Sequence, residues 1–512
     1  MTADPPRRSA RPGRDKRKPG TIPQRPWKLF ELPYKPIEIL SADQVQAIHE
    51  AALDILETTG MKVLEPRARA HYKRAGATVD ESDLRVRFDR HMLMAEVAKA
   101  PSQFTLEARN PARNLKLGGR SCVFTSVGGP AYVADNSTGR RTGTYAEMCD
   151  YLKLIQSLNV IHQEGGGPFE PLDLPADSRH LDIYYAEITL LDKSWQQQGL
   201  GTERTLDGLE MTAISLGLTR EQLIGRTICA TVINTNSPLQ LDVPMAEGLM
   251  TLAEHGQVNI ITPFTLSGAM APVTIAGALA LQHAEAMAGI ALTQIVRPGV
   301  PVMYGGFTSN VDMRSGAPAF GTPEYTQAAH ASGQLSRLIG VPFRSSNVNA
   351  ANDVDAQAAY ESMMALWGAI MGGAHMIIHA AGWLNGGLTA SFEKLILDAE
   401  LLQMMHAYAE SFEVSAATLA RDAVAEVGPA GHFFGTPHTL ARYETAFYQP
   451  ILSNWDNYDL WVERGRVMAR ERAGEIWKAM LTEYEQPPLE PAIDDALKDY
   501  VARRKREIHG TP

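Results

Sequence analysis

The chain is expected to fold as an α/β protein, a TIM (β/α)8 barrel with an N-terminal α+β subdomain and a C-terminal helical extension. Three observations lead there. Between Pro342 and Gly387 one barrel unit is written almost in full: a short strand, Val341–Arg344, a polar loop from Ser345 to Asp355, an Ala- and Met-rich helix, and a second strand, His375–His379. The same succession of apolar run, polar or Gly-rich loop and helical pattern of about a dozen residues recurs upstream. No dinucleotide fingerprint interrupts it, which favours the barrel over an open doubly wound sheet, a fold that periodicity alone also fits.

Residues 1–26 are rich in Arg, Lys and Pro with hardly any apolar side chain, too little to offset the entropy of ordering, so a disordered basic tail is expected. The tail lacks the apolar core of a secretory signal. Its charge could touch nucleic acid or membrane, yet the chain as a whole carries −10 with a pI near 5.8, and neither is expected as a partner. Residues 27–144 read as a small α+β subdomain. It opens with Ser41-Ala-Asp-Gln, a capping-box pattern whose helix runs through Ile48, Ala52 and Ile55 to a stop at Gly60. It closes with the hairpin-like run Tyr132–Arg140.

The barrel domain is assigned to residues 145–485. Strands are read at Val160–Glu164, Lys193–Gln197, Thr227–Ile233, Val258–Phe264 and Val300–Tyr304; with the two strands of the opening unit these make seven. The eighth is sought at Phe392–Leu397, which reads equally as helix. Phe264–Val296, the most apolar region, is interrupted by Pro272, His283 and Glu285, groups costly in lipid, so it reads as a buried helix. Because 512 residues exceed the roughly 250 of a bare barrel, the surplus falls at the two ends. Residues 486–512 are a rigid Pro-rich linker, Gln486–Pro491, and a last amphipathic helix, Ile493–Lys505, expected to pack on a neighbour.

Parallel strands joined by helices point their C-terminal ends at one face, so residues there converge on a common pocket. Trp195, Phe264, Tyr304, Phe307 and Trp383 all fall at or just beyond such ends. Aromatic faces attract a quaternary ammonium by roughly 0.5–2 kcal/mol each, although any one of these rings also fits core packing. Arg344 and His379 could clamp a carboxylate, a guanidinium fork beside an imidazolium donor, with Ser346 and Asn347 on the same loop. The alternative is an ion pair of Arg344 with Asp353 or Asp355. Glu164 either sets a negative charge under a cationic substrate or caps its loop.

The run Gly165–Gly167 is followed by Pro168 and no clear helix start, a weak nucleotide signal. Cys122, Cys149 and Cys229 lie far apart without metal-ligand spacing, which suits a reducing cytoplasm and predicts no metal. His379-Ala-Ala-Gly382 matches half of the Asp-x-His-x-x-Gly loop that ligates cobalamin in corrinoid proteins, but Ile377 stands in the Asp position. Cobalamin carriage by this chain is therefore rejected.

With these residues in view the sequence resembles the trimethylamine methyltransferase family, including its non-pyrrolysine glycine betaine methyltransferases, over Ser41 to Lys505. The resemblance rests on Gly128-Gly-Pro-Ala-Tyr-Val-Ala-Asp135 with Gly139-Arg-Arg-Thr-Gly143, Asp353-Val-Asp-Ala-Gln-Ala-Ala-Tyr-Glu361, Gly431-His-Phe-Phe-Gly435 with His438-Thr-Leu440, and Pro487-Pro-Leu489. It implies a TIM barrel that moves a methyl group from a methylated amine to the Co(I) of a separate corrinoid protein, so that cobalamin belongs to the partner and no cofactor is held tightly here. Trimethylamine enzymes of this family carry pyrrolysine in the barrel, whereas only standard residues stand around Ser345–Asn349. A quaternary amine such as glycine betaine fits better than trimethylamine, and a homo-oligomer is expected. Direct methyl transfer to tetrahydrofolate, or a betaine-binding protein without catalysis, are the competing readings; S-adenosylmethionine dependence ranks last for want of a cofactor loop.

Overall fold

A computed structural model describes residues 22–510. Most of the expected basic tail, residues 1–21, lies outside the described residues. The rest of it is packed rather than disordered: Gln24 bonds to Ser157 and Asn159, and the Arg25 amide donates to Gln403 Oε1.

At the centre is a curled seven-stranded sheet. Six strands run parallel: β1 (Ser121–Ser126), β2 (Ala230–Ile233), β3 (Val258–Ile261), β4 (Val302–Gly305), β5 (Phe343–Ser346) and β6 (Met376–Ala381), in the spatial order β1-β6-β5-β4-β3-β2. Phe30–Glu31 adds a short antiparallel edge beside β1. Consecutive strands from β2 to β6 are joined through the helices Val243–Glu254, Ile275–Val296, Pro323–Ile339 and Ala356–Met371, the crossover that parallel pairing requires.

Side chains alternate between two apolar faces, as the pleat demands. On one face Val123, Ala230, Val258, Ile260, Met303, Met376 and Ile378 form a compact cluster, extended by Leu106, Leu115 and Leu117 of the hairpin Phe104–Leu106/Leu115–Leu117. On the other face Phe124, Ile233, Ile261, Tyr304, Phe343 and Ile377 join the larger core made with the helices. The sheet is buried on both sides, and so apolar residues occupy both phases of its strands, with polar positions such as Thr125, Asn259 and Arg344 buried among them.

Two expected strands are extended segments with isolated bridges. Gln163 bridges Thr125 on one side and Ser194 on the other, and Gln196 bridges Ala230. The expected eighth strand is corrected: Phe392–Leu397 opens the helix Phe392–Ala409, whose N-cap Ser391 accepts the Lys394 amide. A side-chain acceptor at the N-cap satisfies an otherwise orphaned helical N–H, which selects helix over strand for an ambiguous apolar run. The place beside β6 is taken by β1 from upstream of Thr144.

Other expected elements appear where the residues put them. Ser41 and Gln44 close a capping box on Ala42–Asp54, and Tyr132–Asp135 pairs with Gly139–Arg141. Ile275–Val296 is the one described helix long and apolar enough to cross a membrane, yet 83% of its apolar window is buried inside the protein. The final helix, Pro491–His509, packs on its own chain through Tyr500 and Arg504 to Asp207 and Lys505 to Asp182.

Candidate functional site

A cavity of about 680 Å³ opens at the C-terminal ends of the parallel strands. Thr231 and Val232 of β2, Thr262 and Phe264 beyond β3, Phe307 beyond β4, Arg344 of β5, and Ile378 and His379 of β6 all line it. Gln196, Gln197 and Gln198, together with Asn234 and Asn236, form a polar part of the wall.

Arg344 is 1% exposed. Neither Asp353 nor Asp355 neutralises it: Asp353 pairs with Arg470, and Asp355 caps the next helix by accepting the Ala358 amide. Among the described residues its Nε and Nη1 have no partner. Burial lowers its pKa to about 10, so the guanidinium is still a cation at neutral pH, with its central carbon 5.4 Å from the Phe307 ring centre. A buried cation with unused N–H groups is an energetic liability that an incoming anion would relieve.

His379 sits at φ +58°, the left-handed region, beside a register shift between β6 and β1. For a residue with a side chain this backbone is strained, and strain of this kind concentrates at functional sites. Burial, reinforced by the neighbouring Arg344 charge, holds its pKa well below the usual histidine range. The side chain is therefore a neutral imidazole rather than the expected imidazolium, and its Nδ1 is unpartnered. Its ring meets Trp383 edge-on at 3.9 Å between centres.

Trp383 stacks on Phe307 (5.9 Å, 14°) and stands edge-on to Phe320 (6.0 Å); Phe264 lies 5.0 Å from Phe307. Four rings thus form one aromatic wall around the Arg344 pole, and the indole Nε1 is also free. The wall is held from behind. Asn347 Nδ2 donates to Ala380 O and Asn349 Nδ2 to Trp383 O, while the Gly382 amide donates to Asp398 Oδ2. Asp398 is paired with Lys394 at 2.5 and 2.6 Å, both completely buried, and Lys394 Nζ also donates to Ser362 Oγ at 2.8 Å.

The structure gathers Phe264, Phe307, Arg344, His379 and Trp383 in the cavity, but not the remaining candidates. Trp195 packs against Tyr184 at 5.3 Å, and Tyr304 turns to the helices, where its hydroxyl bonds Gln282 and lies 3.2 Å from His283 Nδ1. Both are one residue out of phase with the inward set, since their neighbours Gln196 and Met303 face inward. Ser346 is buried at the end of β5, where its carbonyl accepts from Tyr325, and Asn347 serves the β6 loop as described.

Glu164 caps its own loop by accepting the Gly166 and Gly167 amides. Burial pushes its pKa up, and raises that of the adjacent Glu187 still further above the usual range, so this carboxyl pair holds a proton instead of presenting full negative charge. Phe320 and the Gln196–Gln198 run went unread in the sequence. Nothing local marked Gln196 rather than Trp195 as the inward position of its segment, and Phe320 sits in a loop with no periodic signal.

A family model described as trimethylamine methyltransferase matches residues 7–509. The chain is 36% identical over 471 residues to the glycine betaine methyltransferase of Desulfitobacterium hafniense (strain Y51), covering 92% of this chain and 98% of that protein. It is 26% identical over 481 residues to trimethylamine methyltransferase MttB2 of Methanosarcina mazei, covering 91% and 94%. Among solved structures, the monomethylamine methyltransferase of Methanosarcina barkeri is similar over 87% of this chain and 93% of that one at 10% identity, with a TM-score of 0.48.

Proposed function

This chain belongs to the trimethylamine methyltransferase family, and from that premise we propose that it takes a methyl group from glycine betaine or a related betaine and passes it to the Co(I) of a separate corrinoid protein. The observation that carries the reading is Arg344: a buried cation with no anionic partner among the described residues, set against four aromatic rings. A betaine joins a carboxylate and a quaternary ammonium within one small molecule. Its carboxylate suits the guanidinium fork, and its methylated cation suits the rings, which attract charge without offering a nucleophile.

The chemistry asks little else of the protein. As the methyl carbon accepts an electron pair from the Co(I) co-substrate, the C–N bond breaks and its pair remains on nitrogen. A neutral tertiary amine leaves, so no general acid is needed. Positioning is then the main contribution, with one N-methyl held toward the open end of the cavity. We also read the sheet as a complete (β/α)8 ring, in which the segments around Gln163 and Ser194–Gln196 fill the gap between β1 and β2, supported by their parallel bridges. The corrinoid is the partner's group, and a cytoplasmic site of action agrees with three free cysteines.

Mixed with a reduced corrinoid protein and glycine betaine, the enzyme is expected to convert the Co(I) spectrum to that of methyl-Co(III) and to release dimethylglycine, with trimethylamine a poor donor. A better rate with trimethylamine would refute the betaine assignment. Methylation of tetrahydrofolate without any corrinoid protein would replace the acceptor.

Trp383→Leu keeps apolar volume while removing a π face. It should weaken glycine betaine by about 0.5–2 kcal/mol more than it weakens tert-butylacetate, the uncharged-head isostere. Equal losses for the two ligands in calorimetry would make Trp383 a packing residue only.

A further inference from the structure

Helix Ile275–Val296 is apolar and buried along most of its length, yet one turn of it carries Gln282, His283 and Glu285, all fully buried. A buried polar side chain is costly unless its hydrogen bonds are met, so the partners of these three show what the turn is for. Gln282 Nε2 donates to Tyr304 Oη at 3.0 Å and to Ser332 Oγ at 2.9 Å. Its Oε1 accepts the Phe307 amide at 3.1 Å and the Thr308 hydroxyl at 2.7 Å. Every donor and lone pair of the carboxamide is thereby used, and the one side chain grips both β4 and the loop that leaves it.

The neighbours on this turn reinforce the grip. His283 Nδ1 lies 3.2 Å from Tyr304 Oη and its Nε2 lies 2.9 Å from Nδ1 of His49, on helix Ala42–Asp54. Glu285 fastens the loop after β2 in the same manner, accepting from Thr235 Oγ1, from Ser237 Oγ at 2.8 Å and from the Leu239 amide at 2.7 Å. Thr235 and Ser237 line the cavity.

Phe307 is the hub of the aromatic wall. Besides Trp383 and Phe264, its ring meets Phe320 at 5.8 Å and His379 at 6.4 Å, both edge-on, and the Arg344 guanidinium lies over it. Among the described residues its amide bonds only to Gln282. The direction of the ring matters because its face is negative and its edge positive. A turned ring keeps its apolar area and loses its attraction for a cation.

We propose that Gln282, which does not itself line the cavity, is a positioning residue of the betaine site. By holding the Phe307 amide it aims the central ring of the wall, and so sets where the quaternary nitrogen rests relative to Arg344. The inference rests on the betaine reading of the cavity.

The test compares Gln282→Met, which keeps the length of the side chain without its hydrogen bonds, with Gln282→Glu, which can accept from all four partners. Calorimetry is run with glycine betaine and with tert-butylacetate, and hydrogen exchange follows the Phe307 amide in the free protein. In Gln282→Met, betaine affinity should fall about two- to thirtyfold and tert-butylacetate affinity by no more than about twofold. The Phe307 amide should exchange faster, while the Tyr304 amide, bonded to Pro342 O, keeps its protection. Gln282→Glu should restore both the protection and most of the betaine affinity. Equal weakening of the two ligands, or no recovery in Gln282→Glu, overturns the proposal. Exchange in the unaltered protein needs no variant to fold: a Phe307 amide as fast as an exposed loop amide also overturns it. An unaltered protein that binds betaine no better than tert-butylacetate refutes the betaine reading instead, and the exchange results then decide whether Gln282 holds Phe307.

Discussion

Arg344→Met is expected to weaken betaine binding by about 1.5–3 kcal/mol, the range for a hydrogen bond to a charged group, while making the free protein more stable. The two effects have opposite signs for one physical reason. In the free protein the guanidinium is 1% exposed with Nε and Nη1 unpartnered, so its desolvation is not offset by any carboxylate. An unbranched apolar side chain removes that penalty. In the complex the same N–H groups would meet the substrate carboxylate, and that interaction is what the variant loses. Calorimetry on the variant should therefore show affinity down roughly ten- to hundredfold, and thermal unfolding of the free protein should show a higher midpoint. Unchanged affinity would remove Arg344 from the site; a lower midpoint would mean that its charge is already satisfied within the fold.

Asp398→Ala is expected to cost about 3–5 kcal/mol of stability, because it leaves the Lys394 ammonium in a sealed site without its paired carboxylate, with only the weaker field of Glu361 to offset it. Lys394→Met combined with Asp398→Leu should recover most of that loss, since two apolar side chains bring no charge to bury. The double variant should still bind betaine poorly. Asp398 Oδ2 accepts the Gly382 amide, and without that bond the segment carrying His379 and Trp383 loses one of its fastenings. Denaturant unfolding of Lys394→Met, Asp398→Leu and the double gives the coupling energy. Equal destabilisation in the single Asp398→Ala and the double variant would show that the charges are uncoupled, and full affinity in the double would show that Gly382 is not a support of the site.

The sequence by itself determined the succession of elements from β2 to β6, because apolar runs that stop at polar loops and alternate with helical periods are local signals. It also placed Arg344 and His379 at the ends of neighbouring strands, and with them Phe264, Phe307 and Trp383. Tertiary structure decided the rest. In a sheet buried on both faces apolar residues fall on both, so nothing local says which phase of the alternation turns inward; Tyr304 and Trp195 fell on the helix side, while Gln196 fell on the cavity side. The strand beside β6 came from Ser121–Ser126 rather than from Phe392–Leu397, because strand neighbours are chosen by long-range pairing, and the Ser391 cap had already committed the later segment to helix. Whether Arg344 would be spent on Asp353 or left for a ligand was also settled in three dimensions: Arg470, more than a hundred residues downstream, took the aspartate, and the guanidinium kept its unpaired N–H groups inside the cavity.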